Sequence, residues 1–188
     1  YGELLEDVEG ALWRRAWLKQ APVPDSLDKI VVAIDPAVTS GQESDETGII
    51  VAGRAQGHRY VLADLSGRYS PDGWARRAVA AHAEWQANTI VAEANNGGDM
   101  VSHTIKTVDP SAHIKLVHAS RGKAVRAEPV AALYEQGKVS HCGAFPALED
   151  QLCGWVPGEG DSPDRLDALV WAMSELMGSG PPRLRFID

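Results

Sequence analysis

Cysteine is scarce in this chain: Cys142 and Cys153 are its only 2. Neither belongs to a CxxC pair, which argues against a zinc site and against a disulfide and reads as two reduced cytosolic thiols. Positive charge is also short, with 18 Lys and Arg against 26 Asp and Glu and a net charge of −8. That balance argues against holding a polyanion by bulk charge. It leaves open an enzyme of nucleic acids whose clustered acids bind divalent cations and so present metal to phosphate. No apolar run reaches the length of a membrane span, and no signal-peptide pattern is present. Internal repeats are absent, and so is a GxxxxGK[ST] phosphate loop.

What is present suits one substantial core: 188 residues, 44% hydrophobic and 23% charged. Because the chain opens at Tyr1, we expect a piece of a longer protein. The stretch Lys29-Ile30-Val31-Val32-Ala33-Ile34-Asp35-Pro36 organises the rest. Five successive apolar residues read as a strand buried on both faces, and Pro36 stops it. Asp35 then stands at the carboxyl end of a rigid strand, the edge at which open α/β sheets bind ligands. A turn aspartate capping a loop is the plainer reading.

Residues 3–18 have a helical pattern, with Leu4, Leu5, Val8, Leu12 and the Trp13/Trp17 pair on one face, although Gly10 weakens it. Ala21 to Ser26 reads as a linker stiffened by Pro22 and Pro24. This arm packs either on a neighbouring domain or on its own core. Ala37 to Thr47 should be a mobile acidic loop, with Glu43, Asp45 and Glu46 either solvated or ligands. Gly48–Gly53 and Tyr60–Leu65 are strands joined by a short link, so the first three strands form an antiparallel meander. Ser70-Pro71-Asp72 starts a helix. The next strand, Thr89–Ala92, ends at Glu93 after a long helical crossover, which permits it to lie parallel to the first and to place Glu93 at the same edge.

A helix from about Asp99 to Val108 precedes a fifth strand, Ile114–Val117. Arg121, Lys123 and Arg126 follow as the densest basic cluster of an acidic chain, either phosphate contacts or a solvated helix face. The helix after them is kinked at Pro129 or starts there. Val139 to Gly143 is a candidate short strand, and Leu148 to Leu152 is too short a run to assign. The last helix begins Ser162-Pro163-Asp164-Arg165-Leu166-Asp167, with Ser162 as the expected N-cap. Asp164 and Asp167 share a face bordering the apolar stripe of Leu166, Leu169, Val170 and Met173. An unpaired Asp167 there would be costly, so it needs a cation or a metal. Gly178 onward reads as a flexible exit.

Asp35, Glu93 and Asp167 offer oxygen ligands, which suit Mg²⁺ or Mn²⁺. Two such ions about 3.5–4 Å apart would serve an in-line phosphodiester displacement. Strand-Asp-Pro, the meander, strand-Glu-x-Asn and Ser-Pro-Asp-Arg-Leu-Asp-Ala-Leu-Val-Trp-Ala together resemble the C-terminal nuclease domain of the large terminase subunit of tailed phages. The resemblance covers about Ile30 to Met177. It implies an RNase H-like α/β fold: a five-stranded mixed sheet, first strand central, with helices on both faces. It further implies Asp35, Glu93 and Asp167 as catalytic metal ligands for a two-metal Mg²⁺ or Mn²⁺ site, with Asp164 accessory.

The implied activity is metal-dependent cutting of concatemeric double-stranded viral DNA during packaging, in the host cell cytoplasm. A preceding packaging ATPase, the portal and the small terminase subunit would be partners, and no membrane is implied. Residues 1–25 would be the end of the ATPase and a linker, 26–178 the nuclease domain and 179–188 a flexible tail. Arg121, Lys123 and Arg126 would contact DNA. Competing readings are an actin-like phosphotransferase, a non-catalytic module docking DNA or portal, and another RNase H-like nuclease such as a junction resolvase.

Overall fold

The computed structural model describes residues 7–37, 46–94 and 98–178. Its centre is β1 (Lys29–Asp35), in which Val31, Val32, Ala33 and Ile34 are all buried. Side chains alternate across a strand, so Val31 and Ala33 feed one apolar core while Val32 and Ile34 feed the other. Burial on both faces is why the run lacks polar alternation.

Antiparallel partners follow on one side, β2 (Gly48–Ala55) against β1 and β3 (His58–Asp64) against β2. Helix α1 (Pro71–Glu84) crosses over to β4 (Thr89–Glu93), which pairs parallel to β1 on its other side. Ser70 caps α1, its hydroxyl oxygen accepting from the Gly73 N–H. Helix α2 (Gly98–Val108) leads to β5 (Ile114–Val117), parallel to β4. Then come α3 (Lys123–Glu135), β6 (Val139–His141), α4 (Pro146–Gly154) and α5 (Asp164–Met177). Sheet order is β5-β4-β1-β2-β3-β6. Helices α1 and α2 cover one face and α3, α4 and α5 the other.

The sheet therefore has six strands where five were expected. The sixth is Val139–His141, three residues long and buried, pairing parallel to the outer edge of β3. Helix α3 runs through Pro129 rather than starting there. Pro129 and Val125 both lie on the exposed side, so the carbonyl that loses its helical donor faces solvent.

The arm also differs from the helix expected over 3–18. Among its described residues the only helical turn is a 3₁₀ turn at Arg15–Trp17. Gly10 takes φ +80°, a left-handed conformation that a helix cannot hold. Trp13 is fully buried and meets Tyr134 edge-on with ring centroids 6.0 Å apart, so tertiary docking overrides the local period. Residues 19–21 then run beside β6, the His141 N–H donating to the Lys19 carbonyl and Ala21 N–H to that of His141. Of the two readings of the arm, packing on its own core is the one seen. No helix among the described residues is long and apolar enough to cross a membrane. The loop acids Glu43 and Asp45 and the tail 179–188 lie outside the described residues.

Candidate metal centre

Two strand ends create the site. Ile34 of β1 pairs beside Ala92 of β4 in parallel register, so the next residues, Asp35 and Glu93, finish together at one edge of the sheet. On the other side Asp35 opposes Gly48. A Cβ at Gly48 would stand 2.2 Å from the Asp164 carbonyl oxygen and 2.9 Å from the Ala168 Cβ. Glycine at this one position lets the first turn of α5 lie directly on the sheet. That approach carries Asp164 and Asp167 to the Asp35 edge.

Arg165 fastens the same turn. Its side chain is 13% exposed and donates from Nε to Asp64 Oδ2 at 3.0 Å, while Nη1 pairs with Glu46. One guanidinium thus ties α5 to the end of β3 and the entry to β2. Gln151 of α4 caps the helix, its Oε1 accepting from the N–H groups of Arg165 (3.0 Å) and Leu166 (3.3 Å).

Ser162 does something other than the expected capping. Its hydroxyl lies 2.6 and 2.7 Å from the two carboxylate oxygens of Asp167, which share its one proton, while Pro163 takes the N-cap position. Lys123 Nζ donates to Asp167 Oδ2 at 2.7 Å. The buried acid that needed a cation has found one on α3. One turn further along α5, the Trp171 indole N–H donates to Glu93 Oε2 at 3.0 Å. The Arg126 guanidinium sits 4.4 Å over the Trp171 ring, and its Nε donates to the Arg121 carbonyl at 3.2 Å. Of the expected DNA cations, Lys123 and Arg126 are thus engaged within the domain. Arg121 is exposed.

Electrostatics ties the acids together. The Asp35 carboxyl is pushed up to about 8, first by burial and then by the charges of Asp167, Asp164 and Glu93, with Lys123 pulling weakly the other way. Burial raises Asp167 as well, against the opposing hydrogen bonds from Lys123 and Ser162. Lys123 is pulled down by burial, but Asp167, Asp35 and Glu93 outweigh this and leave it raised. The structure thus brings Asp35, Glu93, Asp164 and Asp167 within electrostatic reach at one edge. Among the described residues it does not condense any three His, Cys, Asp or Glu side chains into a ready cluster for a metal ion. The residues nevertheless fit a hard divalent cation. All four offer oxygen only, and the strained ionisation of Asp35 is the kind that a divalent charge relieves.

A family model described as Terminase RNaseH-like domain matches residues 32–176. This chain belongs to that family. The match runs from within β1 to the last turn of α5, so the acidic edge lies inside the terminase RNaseH-like domain.

None of the curated sequences compared with the chain matches it. Among solved structures it is similar to the large terminase nuclease of thermophilic phage G20c with bound magnesium, at 14% identity and TM-score 0.67, covering 89% of this chain and 98% of that one. The human cytomegalovirus terminase nuclease domain is similar at 12% identity and TM-score 0.60, covering 86% and 94%. The large terminase of thermophilic bacteriophage D6E matches at 11% identity and TM-score 0.67. The chain covers 46% of the length of that protein. At these identities the likeness is one of fold.

The roles of Ser162, Gln151, Arg165, Gly48 and Trp171 were not foreseen from the sequence. Each acts across the fold on a partner remote in sequence or through a contact that no local pattern encodes. Ser162, Arg165 and Trp171 stood in view inside the motif that carries the resemblance, but nothing local gave their partners.

Proposed function

We propose that this terminase RNaseH-like domain is a divalent-metal-dependent endonuclease that cuts concatemeric double-stranded viral DNA during genome packaging. The observation that carries the reading is the convergence of Asp35, Glu93, Asp164 and Asp167 on one edge of the sheet, where burial first and then the neighbouring acids push Asp35 up to about 8. Asp35, Glu93 and Asp167 would hold the metal, with Asp164 accessory. A pair of Mg²⁺ or Mn²⁺ ions held by these residues would supply charge stabilisation for phosphodiester hydrolysis. The phage G20c nuclease with bound magnesium and the Mn-soaked cytomegalovirus domain support that choice of ion.

The remaining steps belong to the chain itself. Gly48 and Arg165 hold the α5 acids against the β1 and β4 acids, and Ser162 holds the Asp167 carboxylate by hydrogen bonds. Lys123 neutralises Asp167 in the metal-free domain. Arg121, Lys123 once released from Asp167, and Arg126 from its place over the Trp171 ring would grip the DNA backbone. A packaging ATPase domain ahead of residue 26, the portal and the small terminase subunit are the proposed partners, in the cytoplasm of the host cell. The D6E large terminase, solved with ATP-gamma-S, supports the first of these.

A docking module with structural acids is the second reading, and the Lys123–Asp167 ion pair favours it. Incubating supercoiled plasmid with the chain in Mn²⁺ or Mg²⁺ separates the two. Nicking that disappears in Asp35→Asn and in Asp167→Asn is the expected result, and intact plasmid with no metal uptake would replace the nuclease by the docking module.

A further inference from the structure

Glu93 ends β4 on a side chain with three rotatable bonds, and ordering such a chain costs entropy. The structure orders it with a hydrogen bond from Trp171, whose indole nitrogen stands 3.0 Å from Glu93 Oε2. A hydrogen bond to an ionised carboxylate is among the stronger and more directional ones a protein can make. Trp171 is 7% exposed, so little water competes for that proton.

Packing alone does not explain a tryptophan here. The indole nitrogens of Trp13 and Trp155 are buried without a partner among the described residues, so the fold places other tryptophans where ring volume is what matters. At Trp171 the proton is spent on an acid of the site. The ring is held in turn, because the Arg126 guanidinium lies 4.4 Å above it. Lys123 and Arg126, three apart on α3, face Asp167 and Trp171, four apart on α5. Each acid thus has its own fixing group in this paired arrangement: Lys123 for Asp167, and the Arg126-held indole for Glu93.

We propose that Trp171 is a positioning residue for Glu93, its indole N–H setting the carboxylate orientation that a divalent cation needs, with Arg126 holding the indole in place. This rests on the reading of Glu93 as a metal ligand given above. Groups that orient metal ligands in this way are typically worth 10–100-fold in metal affinity.

The test uses the 188-residue chain. Magnesium binding is measured by calorimetry on wild type, Trp171→Phe, Arg126→Ala and, as a matched control, Trp155→Phe, which removes an indole N–H that has no partner among the described residues. Trp171→Phe should bind Mg²⁺ roughly 10–100-fold more weakly, Arg126→Ala should show a smaller loss, and Trp155→Phe should bind as wild type does. Independently of folding in any indole variant, the Trp171 indole N–H resonance, assigned through the wild-type backbone, should move on adding Mg²⁺ and in Glu93→Gln. Wild-type Mg²⁺ affinity in a folded Trp171→Phe, or a resonance indifferent to Glu93→Gln, overturns the positioning role while leaving the metal site standing. A wild-type chain that takes up no Mg²⁺ overturns both.

Discussion

Replacing Gly48 by alanine probes the closest approach in the site. The added carbon would lie 2.2 Å from the Asp164 carbonyl oxygen, 2.8 Å from its carbonyl carbon and 2.9 Å from the Ala168 Cβ, where ordinary contact begins at 3.4 Å. The obstacle is helix backbone, which cannot swing aside as a side-chain tip can. The first turn of α5 must therefore lift from β2 by roughly 1 Å, an overpacking expected to cost about 1–3 kcal/mol. At about 2–4 °C per kcal/mol for a chain of this size, the melting temperature should fall visibly.

The same lift separates Asp164 and Asp167 from Asp35, which opposes Gly48 in register. A displacement of about 1 Å can cost on the order of 100-fold in rate, so plasmid nicking should fall far more than stability does. Gly154→Ala is the control, since a carbon there meets nothing among the described residues within 4 Å and its φ is not in the left-handed region. It should be neutral or slightly stabilising. Thermal denaturation and initial nicking rates measure these two effects, and Mg²⁺ calorimetry should show weaker binding in Gly48→Ala. A Gly48→Ala chain with wild-type melting temperature and wild-type Mg²⁺ affinity would refute the argument that this glycine seats the acidic turn.

Other perturbations test neighbouring parts of the account. Arg165→Ala leaves Asp64, 9% exposed at its side chain, without its guanidinium, and should destabilise by about 3 kcal/mol in urea denaturation; a loss below about 1 kcal/mol would remove Arg165 as the fastener of α5. Asp35 at about 8 retains its proton in the folded state well above the ordinary aspartate range. The folded state therefore binds more protons than the unfolded one between about pH 4 and pH 8, and stability contributed by this group falls as pH rises through that window. The melting temperature of the metal-free chain should drop over that range relative to Asp35→Asn, and added Mg²⁺ should recover more at pH 8 than at pH 5. Parallel pH profiles for the two chains would contradict it. Arg121→Ala should weaken binding to duplex DNA and flatten the log K against log salt slope by about 1, and an unchanged slope assigns Arg121 to a solvated face.

How far the sequence carries depends on what kind of contact fixes each feature. The Lys29–Asp35 run was legible because a strand buried on both faces must be continuously apolar. Glu93 was legible because a long helical crossover permits a parallel return to the same edge. Asp167 could be seen to need a cation, since a carboxylate beside Leu166 and Leu169 cannot stay unpaired. That the cation is Lys123 was hidden, because the pair spans 44 residues and joins two helices whose packing no local pattern states. Trp171 and Glu93 are 78 apart, and nothing in the local pattern of α5 marks the indole as a donor to a strand end. The arm misled for a different reason: its helical spacing is real, but the burial of Trp13 against Tyr134 outweighs local propensity. Val139–His141 gave a weak strand signal because three residues are too few for a period.

Asp35, Glu93 and Asp167 are proposed to share divalent metal at one sheet edge. Anomalous diffraction from a crystal of this chain soaked in Mn²⁺ tests it most directly. Manganese peaks should stand in contact with all three carboxylates, with the Lys123 ammonium withdrawn from Asp167. Crystals in which manganese is absent from that edge, with Lys123 still paired to Asp167, would contradict it.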